Sequence, residues 1–159
     1  MVQDFAIYDL AAGGGTLALC PLVGRDGDYA GDLAQVRAWA PTIVLTMVET
    51  SELAAKGAIG FGLDVAPAVW LHLPVEDYQV PTAAQAADWA AIERQVLAGL
   101  AQGARVLVHC MGGCGRSGMA ALRMMIMAGE VPDLALGRLR DMRPCAVETE
   151  AQMLWATTT

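Results

Sequence analysis

Val106-Leu-Val-His-Cys-Met-Gly-Gly-Cys-Gly-Arg-Ser-Gly118 decides how this chain is read. It opens as an apolar, valine-rich run of the kind that forms a strand buried on both faces. A helical pattern begins near Arg116 and continues to about Ala128. Between them stand Cys110, at the strand end, and a loop holding Gly112, Gly113 and Gly115. Glycines at that density let the backbone curl until its N–H groups face inward, and the following helix adds the positive end of its dipole. The result is a nest for a tetrahedral oxyanion, lined by Met111, Gly112, Gly113, Cys114, Gly115 and Arg116. A thiol at the rim of such a nest shares its positive potential, which favours the thiolate and makes Cys110 a nucleophile. Arg116 offers a planar fork of donors able to grip two phosphate oxygens. The Ser117 hydroxyl can donate to the sulfur when it must leave.

Working outward, short β-rich runs alternate with longer helical patterns, the signature of βα units around a mostly parallel sheet. Strands are predicted at Phe5 to Tyr8, Thr16 to Leu19, Thr42 to Met47, Val69 to Leu73 and Arg105 to His109, with Gly13-Gly14-Gly15 as the turn between the first two. Helices are predicted over Asp32 to Ala40, Ser51 to Lys56, Arg116 to Ala128, Asp133 to Met142 and Glu148 to Trp155. The longest runs from Thr82, an N-cap whose capping-box partner is Gln85, through Trp89, Ile92, Val96 and Leu100 to Gly103. The fold class is therefore α/β, a central mostly parallel sheet of four to five strands flanked by helices.

The chain has 159 residues, 55% of them hydrophobic, and a net charge of −7. That is enough apolar material for one core, and with no repeat, linker or second composition zone, residues 1–159 read as a single domain. No cluster of Lys or Arg offers a footprint for nucleic acid or an anionic membrane. The apolar stretch from Met119 to Ala128 is broken by Arg123 and is too short to cross a bilayer. Met124, Met125 and Met127 read as core. The N-terminus lacks the basic residues of an export signal, so Cys20, Cys110, Cys114 and Cys145 are expected as reduced thiols of a cytoplasmic protein. No His, Cys or carboxylate spacing suggests a metal, and Cys110-x-x-x-Cys114 without a second pair is a poor zinc site.

His109-Cys-x-x-Gly-x-x-Arg-Ser117 resembles the signature of the cysteine-dependent protein phosphatase superfamily, and the chain looks like its small dual-specificity branch. Leu73-Pro-Val-Glu-Asp-Tyr-Gln-Val-Pro81 is similar to the acid-bearing segment of kinase-associated phosphatase and its bacterial relatives. Cys20-Pro-Leu-Val-Gly-Arg25, Leu139-Arg-Asp-Met-Arg-Pro144 and Ala146-Val-Glu-Thr-Glu-Ala-Gln152 resemble further segments of the same branch. The resemblance implies the three-layer tyrosine phosphatase fold, with no cofactor. It makes Cys110 the nucleophile, Asp77 first general acid and then base, and His109 the residue that orients loop and thiolate. Glu148 falls where tyrosine-specific members carry a water-positioning Gln, and Gln152 keeps the second glutamine of that pattern. No Lys-Asn-Arg-Tyr segment is present to build a deep phosphotyrosine pocket, which implies tolerance of phosphoserine and phosphothreonine. The partner is then a phosphorylated protein or a small phosphate ester.

Other readings stand beside this one. A phospho-binding module without turnover would keep the loop. A thiol redox enzyme such as an arsenate reductase also uses Cys-x5-Arg, although the Asn expected in that loop is missing here. Glu76 competes with Asp77 as the acid, and Cys114 or Cys20 could close a disulfide with Cys110. Arg25, near the Pro-Leu-Val-Gly turn, could reach the phosphate mouth, but reads rather as a solvated loop residue.

Overall fold

The computed structural model describes residues 4–158. Five strands form one sheet in the order β1-β2-β5-β3-β4: β1 (Tyr8–Ala12), β2 (Gly15–Cys20), β3 (Ile43–Thr46), β4 (Val69–His72) and β5 (Arg105–His109). β1 pairs antiparallel to β2, and every other pairing is parallel. β5 lies at the centre, with Cys20 of β2 and Thr46 of β3 both opposite its last residue, His109. Val106, Leu107 and Val108 are wholly buried, as their composition requires. Chain order reverses on either side of β5, and the crevice beyond the carboxyl ends of such strands is where α/β sheets hold ligands.

The helices are α1 (Tyr29–Trp39), α2 (Thr50–Ala55), α3 (Phe61–Asp64), α4 (Ala86–Ala101), α5 (Gly115–Met127), α6 (Pro132–Met142) and α7 (Glu150–Thr157). α4 and α5 both lie against β2 and β5, while α6 and α7 pack on α5. The buried residues of α4 are Trp89, Ile92, Val96 and Leu100, the stripe its spacing predicts. Its Thr82–Gln85 capping box is formed, but the box closes a 3-10 turn, Ala83–Gln85, from which the α-helix continues. Met124 and Met125 are core, whereas Met127 is 42% exposed and so stands outside it. No helix among the described residues is long and apolar enough to cross a membrane.

Two expectations need correction. The first strand does not occupy Phe5 to Tyr8 but starts at Tyr8 and reaches Ala12. Gly13 and Gly14, both at positive φ, form a two-residue hairpin that forces Ala12 to face Gly15, so the strand must run back from that turn. Ala11 and Ala12 carry little strand propensity and hid it. The last helix begins at Glu150 rather than Glu148, because Thr149 is its N-cap in a capping box with Gln152.

Candidate active site

The loop after β5 is shaped by what its carbonyls bond to. The Cys110 carbonyl faces His109 Nδ1 at 3.3 Å, and Met111 O accepts from Leu22 N at 3.0 Å. Gly112 O and Gly113 O accept from Arg143 Nη2 and Nε at 2.9 and 3.2 Å, and Cys114 O accepts from Gly118 N and Val147 N. With each carbonyl drawn outward, the intervening amides turn inward and α5 begins with its unsatisfied N–H groups beside them. Gly113 sits at φ +71°, and a Cβ there would stand 2.7 Å from the backbone of Cys20. Glycine is obligatory at that position on both counts.

Cys110 lies at the floor, with Sγ 3.2 Å from Ser117 Oγ. Arg116 is buried and held from behind: Nη1 and Nη2 donate to Glu52 at 2.8 and 2.9 Å, and Nη1 also donates to Val75 O at 2.8 Å. Its Nη2 lies 3.3 Å from Asp77 Oδ1, while its buried Nε has no hydrogen-bond partner among the described residues. Burial opposes the Arg116 charge, but Glu52, then Cys110 and Asp77, outweigh it and raise the basicity of the guanidinium. Burial likewise opposes the Glu52 charge, and its bonds to Arg116 and the Glu49 amide more than offset that. The cavity above, about 470 Å³, is lined by Cys110, Asp77, Tyr78, Glu148, Arg25 and Arg143 among others. It can take an anion, offer it a thiol in line, and place two carboxylates beside it.

The family model described as "Polymorphic toxin system, DSP-PTPase phosphatase" matches residues 30–130, which span most of the chain and the whole of this loop. The chain belongs to that DSP-PTPase phosphatase family. Among solved structures it is similar to kinase-associated phosphatase carrying a serine in place of its catalytic cysteine, with 22% identity over 99% of this chain and 94% of that one and a TM-score of 0.82. It is also similar to Tk-PTP in its active form, at 28% identity over 91% of each chain and a TM-score of 0.68. A third likeness is to PTPMT1 in complex with PI(5)P, at 20% identity over 88% of this chain and 86% of that chain and a TM-score of 0.69. No curated protein matches the sequence. The DSP-PTPase assignment makes this chain a cysteine-dependent phosphatase acting on phosphorylated substrates.

For this DSP-PTPase, the structure brings Cys110, Asp77 and Glu148 to the wall of one cavity, with Ser117 buried against Cys110 and Arg116 buried against Asp77. Asp77 rather than Glu76 faces it, since Glu76 lines a separate hollow with Glu49 and Gln79. The Glu148 carboxylate lies against the start of α5, where a Cβ on Gly115 would stand only 2.3 Å from its Oε1. Gln152 is not at the cavity: its Oε1 accepts from the amides of Glu148 and Thr149, and its Nε2 donates to Gln79 O. It ties the start of α7 to the segment carrying Asp77.

His109 stands behind the loop, fully buried. Trp70 Nε1, which can only donate, gives its proton to Thr46 Oγ1 at 2.8 Å, and Thr46 Oγ1 lies 2.7 Å from His109 Nε2. Because His109 Nδ1 faces a carbonyl, the proton of the neutral ring belongs on Nδ1, and Thr46 donates to Nε2. Burial, with lesser contributions from His72 and Arg116, lowers the pKa of His109 to about 4 against the pull of its bond to Cys110 O. The unfolded chain therefore takes up a proton as pH falls through about 6.5, while the folded chain resists until about pH 4. Stability should fall by roughly 2 kcal/mol between pH 7 and pH 5 on this account. Urea midpoints for wild type and His109→Gln should differ in that slope, and equal slopes would show that His109 does not carry it.

Four free thiols were expected; instead Cys114 and Cys145, 31 positions apart in sequence, form a disulfide with Cα atoms 5.2 Å apart. It joins the anion loop to the turn after α6 and leaves neither Cys114 nor Cys20 bonded to Cys110. Burial, and then the neighbouring Cys110, push the Cys20 thiol well up, so it stays protonated. Glu52 and Arg143 were missed by sequence reasoning. The only signals were an acid in a capping box and an arginine before a proline, and neither pattern points to an active site.

Proposed function

We propose that the protein hydrolyses phosphate monoesters of proteins, phosphotyrosine and also phosphoserine and phosphothreonine, through a phosphocysteine intermediate. The observation that carries this is the buried Arg116 Nε, a donor without a partner in a cradle of inward amides beside a free thiol. Leaving such a group unsatisfied costs about 1–3 kcal/mol, which a phosphate oxygen would recover on binding. The Cys110 thiolate attacks phosphorus in line, the bond to the ester oxygen breaks, and Asp77 delivers its proton to that oxygen. Charge spread over the equatorial oxygens is met by the loop amides and by Arg116, which Glu52 and the Val75 carbonyl hold ready. Water then attacks the phosphocysteine, Asp77 takes its proton, and Ser117 donates to the departing sulfur. Glu148, which lines the same cavity as Asp77, orients that water in this reading, and Gln152 acts on it only through the Glu148 amide. The reaction is assigned to one domain, residues 1–159.

The test is release of p-nitrophenolate from p-nitrophenyl phosphate with chelator present, together with mass spectrometry of acid-quenched enzyme. Turnover with a phosphoryl adduct on the peptide containing Cys110 is the expected result. Binding of a phosphopeptide without release of phosphate would make the site a recognition module. Thiol-dependent reduction of arsenate without phosphate release would make it a redox enzyme.

A further inference from the structure

The disulfide between Cys114 and Cys145 sits at the anion cavity, and both of its residues line that cavity. Cys114 is half-buried on the loop itself, as the N-cap of α5, and Cys145 is exposed. Cys20 and Cys110 are free and buried. A dissolved thiol therefore meets the Cys114–Cys145 bond before it meets either of those side chains, and exposed disulfides are the exchangeable ones. Cys145 stands at the tip of a turn closed by Ala146 N on Arg143 O at 2.9 Å, and Arg140 of α6 fixes the turn by donating to Ala146 O and Val147 O. From this turn Arg143 reaches Gly112 O and Gly113 O, and Val147 N reaches Cys114 O. The disulfide adds a covalent tie between the same two segments, at the residue where the anion loop becomes helix.

We propose that Cys114 and Cys145 form a thiol-exchange site for dithiols, through which the redox state of the surroundings sets the affinity of the cavity for its anion. The inference rests on the reading of this cavity as a phosphate site. A thiolate of the dithiol attacks Cys145 Sγ, the exposed sulfur, forming a mixed disulfide and releasing Cys114 as a thiolate. The positive end of α5 and the inward amides favour that anion, and a stabilised thiolate departs faster. The second thiol of the dithiol then attacks the sulfur its partner left on Cys145, closing a cyclic disulfide and freeing Cys145. Two electrons and two protons leave the dithiol; the electrons and one proton settle on the pair as a Cys145 thiol and a Cys114 thiolate, and the other proton goes to solvent. The reduced site differs in two ways, both adverse to phosphate. The anion loop loses its covalent tie to the turn beyond α6, and a negative charge stands where a neutral disulfide stood, at the rim of the nest. By linkage, a bound anion holds the disulfide closed by the same factor that reduction weakens the anion.

The experiment uses Cys110→Ser, which removes the other thiol at the cavity, with inorganic phosphate as the probe. Calorimetry before and after equilibration with excess dithiothreitol should show phosphate affinity falling by at least about 5-fold, the lower end of ordinary coupling between sites, and returning on reoxidation. Saturating phosphate should raise by the same factor the ratio of reduced to oxidised dithiothreitol at which half the protein is reduced, read by alkylation and mass spectrometry of the peptides carrying Cys114 and Cys145. Adding Cys114→Ser and Cys145→Ser should abolish the response to dithiothreitol. Equal phosphate affinity in the two states, a half-reduction ratio indifferent to phosphate, failure of the pair to close in oxidised dithiothreitol, or a response that survives the double substitution overturns the proposal while leaving phosphate binding at the cavity standing. Failure to bind phosphate in either state, with no phosphate release by wild type, overturns the phosphatase reading instead.

Discussion

Cys110→Ser is expected to remove turnover by at least about 10⁴-fold while leaving phosphopeptide affinity within about threefold of wild type. The side chain is nearly wholly buried at the floor of the cavity and its side-chain hydrogen-bond partner among the described residues is Ser117, so a hydroxyl of similar size disturbs little packing. What it removes is the nucleophile. A serine alkoxide needs a base hydrogen-bonded to it, and among the described residues the partner at this position is only the Ser117 hydroxyl, while His109 has both ring nitrogens turned to Thr46 and to a carbonyl. Calorimetric titration of the variant with a phosphotyrosine peptide, beside steady-state assays, separates the two effects. Residual turnover above one part in about a hundred would place the nucleophile elsewhere.

Asp77→Asn should lower kcat by about 10² to 10⁴ on phosphoserine and phosphotyrosine peptides, the range over which a positioned proton donor acts. On p-nitrophenyl phosphate the loss should be smaller, because its leaving group departs readily without a proton. Asp77 is half exposed, and its Oδ1 accepts from Tyr78 N as well as facing Arg116, so the amide preserves most of the local bonding. Glu76→Gln is the control, because that side chain points to another hollow. A Glu76→Gln loss equal to that of Asp77→Asn would return the acid role to an open question between the two carboxylates.

Much of this site could be read from the chain because its central parts are contiguous. Strand, cysteine, glycine turn, arginine and helix follow one another within Val106 to Gly118, and local physics dictates each. The Asp77 segment could be read only through its resemblance to the acid-bearing segment of the family, with Pro74 and Pro81 fixing the spacing. Residues that act across the fold could not. Glu52 meets Arg116 from 64 residues away, and Arg143 reaches Gly112 from 31. Periodicity and spacing describe neighbours along the chain and are silent about such meetings. The same reason hid the pairing of Cys114 with Cys145. α3, four residues long, was missed on other grounds, since a single turn shows no period.

The outward bonding of the loop carbonyls has a consequence for where this phosphatase can be cut. Every group of the recognisable motif lies before residue 130, where the family match ends. Yet Arg143, Cys145, Val147 and Glu148, which hold the motif in shape or face its cavity, all come later. A fragment trimmed to the matched segment would keep its letters and lose its mould: a sentence with correct spelling and no grammar. The boundary of recognition and the boundary of competence are different places in this chain, and the distance between them is the length of α6 and the turn beyond it.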